Sequence, residues 1–231
     1  MTLKKKLVFS LIFCISLLGC RSKSQFSLLV AKCEDGNLQS CLEYLRLYQQ
    51  KNVSEIDVQF EQVLNRAARL GNVGAMFTLA VRATQPETSP TDIDLAIYWF
   101  GEASAAGDSL SSLNLGLIYD HGIGINSDYT KARYWYQKAA DLGNPEGLFN
   151  LAVCLDEGLG GNIDKSAAVR AYTLAADRGH ARSAYNLALM LGRGEGINQN
   201  WESAMNMLRR SHQLGFKPAK QLLTKWSKVE R

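Results

Sequence analysis

The stretch Lys131-Ala-Arg-Tyr-Trp-Tyr-Gln-Lys-Ala-Ala-Asp-Leu-Gly143-Asn-Pro-Glu-Gly-Leu-Phe-Asn-Leu-Ala152 holds the end of one helix, a turn and the start of another. Before the glycine, Ala132, Tyr136, Ala139 and Ala140 recur at the 3.6-residue spacing of an amphipathic helix. After it, Asn144 is a suitable N-cap and Pro145 suits the first helical position. Gly147, Leu148, Leu151 and Ala152 then resume helical spacing. Gly143 itself suits the left-handed residue that closes a helix.

This unit is repeated. Equivalent glycines stand at Gly36, Gly71, Gly107, Gly143, Gly179 and Gly215, spaced by 35, 36, 36, 36 and 36 residues. A second series, Gly122, Gly158 and Gly194, has the same period. Four residues before the first series stand Ala67, Ala103, Ala139, Ala175 and Ser211; four after stand Ser40, Ala75, Ser111, Gly147, Ser183 and Ala219. Large apolar residues occupy the columns seven before (Leu64, Phe100, Tyr136, Tyr172, Leu208) and eight after (Leu79, Leu115, Leu151, Leu187, Leu223). Small residues beside the turn let two antiparallel helices approach closely. One such pair cannot bury its apolar face alone, so neighbours must stack, and the end units should be irregular.

The spacing predicts A helices near 37–50, 73–84, 109–121, 145–157, 181–193 and 217–228, and B helices near 26–34, 55–70, 92–106, 128–142, 164–178 and 200–214. With 231 residues the chain suffices for one array with a sizeable core.

The stretch 131–152, with the similar Ala96–Ile125 and Ala168–Ile197, resembles the Sel1-like repeats, relatives of the tetratricopeptide repeat. The resemblance covers roughly residues 31–225 and implies an all-α, right-handed α-solenoid of about five helix-pair repeats. The loops at 50–54 and 84–90 lack the Gly-x-Gly pattern, and the first unit, 31–50, is degenerate.

The first residues read differently. Lys4, Lys5 and Lys6 precede an apolar run from Leu7 to Leu18, too short to span a bilayer, which needs about 20 residues. A basic start followed by a short apolar core describes an export signal. The run ends Leu17-Leu18-Gly19-Cys20, which resembles the lipobox of bacterial lipoproteins. The resemblance implies removal of residues 1–19, diacylglycerol on the Cys20 thiol, and a tether over 20–30 before the array at 31–231. Two or three acyl chains on one cysteine give stable membrane attachment. Arg21, where inner-membrane lipoproteins carry Asp, implies the outer membrane, facing the periplasm.

Formal net charge is +4; removing the three signal lysines leaves +1. With no long basic run, nothing supports nucleic-acid binding. Cys33 and Cys41 lie three before and five after Gly36, columns that should face each other across the turn and that hold Ser104 and Ser112 two units on. A disulfide there fits the geometry and an oxidising compartment; two buried thiols are the alternative. Its spacing also resembles the cysteine-rich subset of Sel1-like proteins. Cys154 reads as a buried thiol.

No cluster with metal-ligand spacing and no catalytic or phosphate-binding motif is present, so no cofactor, metal or catalytic residue is expected. The cysteine-rich relatives have been described as β-lactam-binding or hydrolysing, yet no Ser-x-x-Lys occurs in the chain. Ser127-Asp128-Tyr129 only partly matches the companion motif and sits at an expected helix start. Seven residues after the glycines stand Thr78, Asn114, Asn150 and Asn186, about 100° around the helix from the core leucine column. Resemblance to tetratricopeptide proteins implies that A helices line a concave face where asparagines hold a peptide backbone. A structural role, bonding neighbouring helices, is the competing reading. The chain is therefore expected to be a non-enzymatic, envelope-anchored adaptor for a protein or peptide. A cell-wall or β-lactam-binding protein is the alternative.

Overall fold

The computed structural model describes residues 25–50, 58–85 and 92–227. The described residues form helices and connecting turns, without strands. In chain order the helices are α1 (25–34), α2 (Leu38–Gln50), α3 (Val58–Arg69), α4 (Val73–Ala83), α5 (Ile93–Ala105), α6 (Ser109–His121), α7 (Tyr129–Asp141), α8 (Pro145–Glu157), α9 (Lys165–Asp177), α10 (Ala181–Arg193), α11 (Trp201–Gln213) and α12 (Lys217–Trp226). Even-numbered helices are the A helices of the repeat and odd-numbered ones the B helices. The signal, Cys20 and Arg21 lie outside the described residues. Helix α1 already includes residues 25–30 of the expected tether, and Leu29 and Val30 are buried.

Each expected A-helix cap is in place. Asn72 accepts from Ala75 N (2.8 Å), Asp108 from Ser111 N (2.8 Å), and Asn144 from Glu146 and Gly147 N (3.0 Å each). From α5 onward the B helices begin one residue later than expected, because the residue counted as their first is their cap. Asp92, Asp128, Asp164 and Asn200, spaced by 36, each accept from the backbone N–H three residues on. Such a cap contributes about 1 kcal/mol. The turn glycines take the left-handed conformation; at Gly143 φ is +80°. A side chain there would be strained.

The chain divides into two compact units, Met1–Leu79 and Ala80–Arg231. In the first, Cys33 and Cys41 form a disulfide across the α1–α2 turn, with Cα atoms 4.8 Å apart and both residues fully buried. Aromatic rings continue from it: Phe26 meets Tyr44 edge-on (5.2 Å), Tyr44 stacks on Tyr48 (6.0 Å), and Tyr48 lies 4.7 Å from Phe60. Arg66 of α3 donates to the carbonyls of Cys33 (3.4 Å) and Glu34 (2.9 Å), closing the end of α1.

The second unit is the regular array. Its core is built from the repeat columns: Tyr136, Tyr172, Leu115, Phe100 and Leu208 are fully buried. Small residues permit the tight A–B approach. A Cβ on Gly147 would stand 2.5 Å from the Ala139 Cβ, too close for anything but glycine. The A-to-B loops seat on the preceding repeat. A Cβ at Gly160 would meet the Tyr129 carbonyl oxygen at 2.1 Å, and one at Gly196 the Lys165 backbone at 2.4 Å. Arg133 donates to the Asn162 carbonyl (3.2 Å) and Ser166 to the Gly196 carbonyl (3.0 Å), tying the same junctions. Arg210 repeats in the second unit what Arg66 does in the first, donating to the Asp177 carbonyl (3.3 Å) and pairing with its carboxylate (3.0 Å). Among the described residues no helix is long and apolar enough to cross a membrane.

Candidate interaction site

Asn114, Asn150 and Asn186 occupy one register position on α6, α8 and α10 of the second unit, and all three are half-buried. Thr78, on α4, belongs to the first unit. Their hydrogen bonds differ. Asn186 donates from Nδ2 to the Tyr172 hydroxyl on α9 (3.0 Å), the helix-bridging role. Asn114 donates to the Leu110 carbonyl of its own helix (2.8 Å), and Thr78 likewise to Gly74 (2.7 Å). The Asn150 side chain makes no hydrogen bond to the other described residues. An asparagine amide offers two donors and an acceptor. All three asparagines thus retain at least one donor and the carbonyl.

Two tyrosines of the repeat column, Tyr136 and Tyr172, are buried and hydrogen-bonded. Burial pushes the Tyr136 hydroxyl well above the usual phenol range, and its donated bond to Asp120 (2.8 Å) adds to the shift. Burial does the same to Tyr172. Burial also pushes the neighbouring Cys154 thiol up to about 11. The thiolate is the reactive form, so Cys154 is inert at neutral pH.

Charge on the A helices changes sign between α8 and α10. At three, seven and fourteen residues after the turn glycine, α8 carries Glu146, Asn150 and Glu157, whereas α10 carries Arg182, Asn186 and Arg193. Those positions fall within about 40° on a helix. Arg182 lies over the Phe149 ring (4.7 Å), and Phe149 faces the His180 ring (4.8 Å).

His180 links these rows in a way the repeat columns did not reveal. Its Nε2 lies 2.9 Å from Glu146 Oε2 and its Nδ1 2.8 Å from Ser183 Oγ. Serine, histidine and carboxylate in sequence have the connectivity of a nucleophile relay. However, Ser183 is fully buried, and its backbone N–H also donates to His180 Nδ1 (3.2 Å). The group is a helix cap that ties α8 to α10, and the serine cannot reach a substrate. Lys165 makes a second cross-repeat tie, pairing with Asp156 and lying 3.6 Å from Glu195. The hydrogen bond it donates to Asp156 holds its ammonium above the usual lysine range.

Asp128, from the partial β-lactamase-like motif, caps α7, and the Lys131 N–H lowers its carboxyl from the usual range. Among the described residues no three His, Cys, Asp or Glu side chains are grouped to hold a metal. Trp99 is buried packing between helices. Trp135 is only half-buried and lines an open groove, which its repeat column did not disclose.

A family model described as Sel1 repeat matches four consecutive segments, 75–108, 109–144, 145–180 and 181–216; the degenerate first pair lies outside them. Among solved structures, the chain is similar to c5321, a protective antigen present in uropathogenic Escherichia coli strains displaying an SLR fold. The two are 28% identical with a TM-score of 0.75, over 87% of this chain and 43% of that one, so this chain spans less than half of that protein. A Sel1 repeat protein from Oxalobacter formigenes shares the fold at 22% identity and a TM-score of 0.66, over 84% of this chain and 78% of that one. No curated protein matches the chain. With its four consecutive repeats, this chain belongs to the Sel1 repeat family, whose helix-pair arrays generally serve as scaffolds for protein–protein interaction.

Proposed function

We propose that the chain is a lipid-anchored, non-enzymatic adaptor of a bacterial envelope that binds a protein or peptide along the concave face lined by its A helices. The observation that carries the binding reading is the row Asn114, Asn150 and Asn186. It repeats in register on three successive A helices, is half-exposed, and has amide groups left over after internal bonding. Donor and acceptor on one side chain match the alternating N–H and C=O of an extended main chain. The opposed charges of α8 and α10 supply a means of selecting a peptide by its sequence. The anchor rests on sequence alone: the basic start, the short apolar run and Leu17-Leu18-Gly19-Cys20.

The test is crosslinking of the full chain in its native envelope, followed by affinity capture and mass spectrometry. One dominant protein should be recovered with wild type and lost when Asn114, Asn150 and Asn186 are all changed to alanine, with the helical circular dichroism intact. Unchanged capture by that variant removes the concave-face reading. Recovery of cell-wall fragments in place of a protein removes the adaptor reading. Cys20→Ser should release the chain from the membrane fraction; continued membrane association removes the anchor.

A further inference from the structure

Helix α5 contains a glycine that neither packing nor backbone geometry requires. Gly101 lies mid-helix with negative φ, and a Cβ there would meet nothing within 4 Å. By contrast, Gly116, Gly147 and Gly192 each sit against a side chain that would collide with a Cβ. In other repeats the Gly101 column holds Asn65, Gln137, Thr173 and Arg209. Glycine in a helix interior costs roughly 1 kcal/mol relative to alanine. The chain therefore carries a destabilising residue that does nothing for the fold.

What Gly101 does is leave space. It lines a groove of about 360 Å³ between the B helices α5 and α7, whereas the asparagine row is carried by A helices. Trp135 forms the facing wall, held edge-on by Tyr134 (5.0 Å, 77°). Ala105 and Leu142 complete the apolar part. Lys138 and Asp141, of opposite charge, stand at the rim. Tyr134 and Leu142, which also line the groove, are 54% and 45% exposed.

We propose that this groove is a second docking site, taking one aromatic side chain of a partner protein, inserted beside Trp135 and flanked by an acidic and a basic residue. An open groove walled by an indole suits an aromatic ring, which gains from offset or edge contact beyond its area. An apolar pocket with a charged rim has the anatomy of an interface anchor point. The rim pair selects flanks of complementary sign: an acid toward Lys138 and a base toward Asp141. Tyr134 and Leu142 line the groove yet stay largely exposed, so a ring seated beside Trp135 leaves apolar surface for the polypeptide that carries it to cover.

Two-dimensional amide NMR of the chain tests this, with p-cresol and the acetylated, amidated tripeptides Glu-Tyr-Lys and Lys-Tyr-Glu as probes. Millimolar p-cresol should shift Gly101, Ser104, Trp135 and Lys138, and one tripeptide should bind more tightly than p-cresol. Gly101→Gln, which installs the residue of the next repeat, should weaken both by at least about tenfold. Gly101→Ala should raise the melting temperature. A lower melting temperature in Gly101→Ala means the glycine serves packing and overturns the proposal. Shifts that survive Gly101→Gln overturn it too, as does a response to N-acetylglucosamine and not to p-cresol. Tripeptides no tighter than p-cresol overturn its assignment to a protein partner. Shifts that appear on raising protein concentration alone point to a second copy of the chain and also overturn it. None of these readouts involves the asparagine row.

Discussion

The turn at Gly36 and the turn at Gly107 are the same piece of geometry closed by different chemistry. In the first, Cys33 and Cys41 are joined covalently. In the second, the same two columns hold Ser104 and Ser112, whose hydroxyls meet at 2.7 Å. The difference follows from what surrounds each turn. The Gly107 turn belongs to the array of regular repeats, whereas the Gly36 pair is degenerate and gives the family model no match. Where stacking neighbours supply burial, a hydrogen bond suffices. In the degenerate first pair, a crosslink that restricts the unfolded chain adds stability that does not depend on regular stacking.

The largest effect should come from making the first turn like the second. The double variant Cys33→Ser/Cys41→Ser should lose about 2–3 kcal/mol in the first unit, from loop-closure entropy. Calorimetry should show an earlier transition for that unit with the second unchanged; a uniform shift breaks the comparison. Next comes the free thiol. Cys154 is neutral and buried when folded, and that burial pushes its pKa up to about 11. A raised acid stabilises fully below its unfolded pKa and loses that contribution as pH rises through the folded value. Chemical denaturation should therefore show roughly 2 kcal/mol lost between about pH 9 and 11, and Cys154→Ala should flatten the dependence. The hydroxyl of Tyr172, also shifted upward, acts in the same direction.

Smaller effects sharpen the contrast between members of one column. Asn186→Ala removes a bond to a buried tyrosine hydroxyl and should cost about 1 kcal/mol, whereas Asn114→Ala removes only a bond within its own helix and should cost less than about 0.5. Urea midpoints distinguish them; equal costs refute the difference in role. Ser104→Ala should cost as little as Asn114→Ala, under about 0.5 kcal/mol, because Ser112 keeps its bond to the Asp108 carbonyl (3.2 Å).

Most of the architecture was legible because it is periodic. The helix ends follow from turn glycines and caps whose chemistry is local. The pairing of columns across the turn anticipated both the disulfide and the serine contact. The B-helix starts were read one residue early, since a capping aspartate and a first-turn residue look alike without dihedral angles. His180 escaped because histidine is an uncommon cap and its second partner, Glu146, lies a full repeat away. The groove beside Trp135 escaped for the opposite reason. It is made by an absence, a missing side chain at Gly101, and periodic reading weights what recurs.

The seating of each loop on its predecessor governs how such a chain is able to change in length. Gly160 rests against the backbone of Tyr129, and Gly196, 36 residues later, against Lys165. One residue inserted between turn and loop would drive a carbonyl into the space these glycines keep open. Whole units of 36 residues would re-create the same seat. Within the regular 36-residue units, the geometry therefore favours growth or loss by complete repeats.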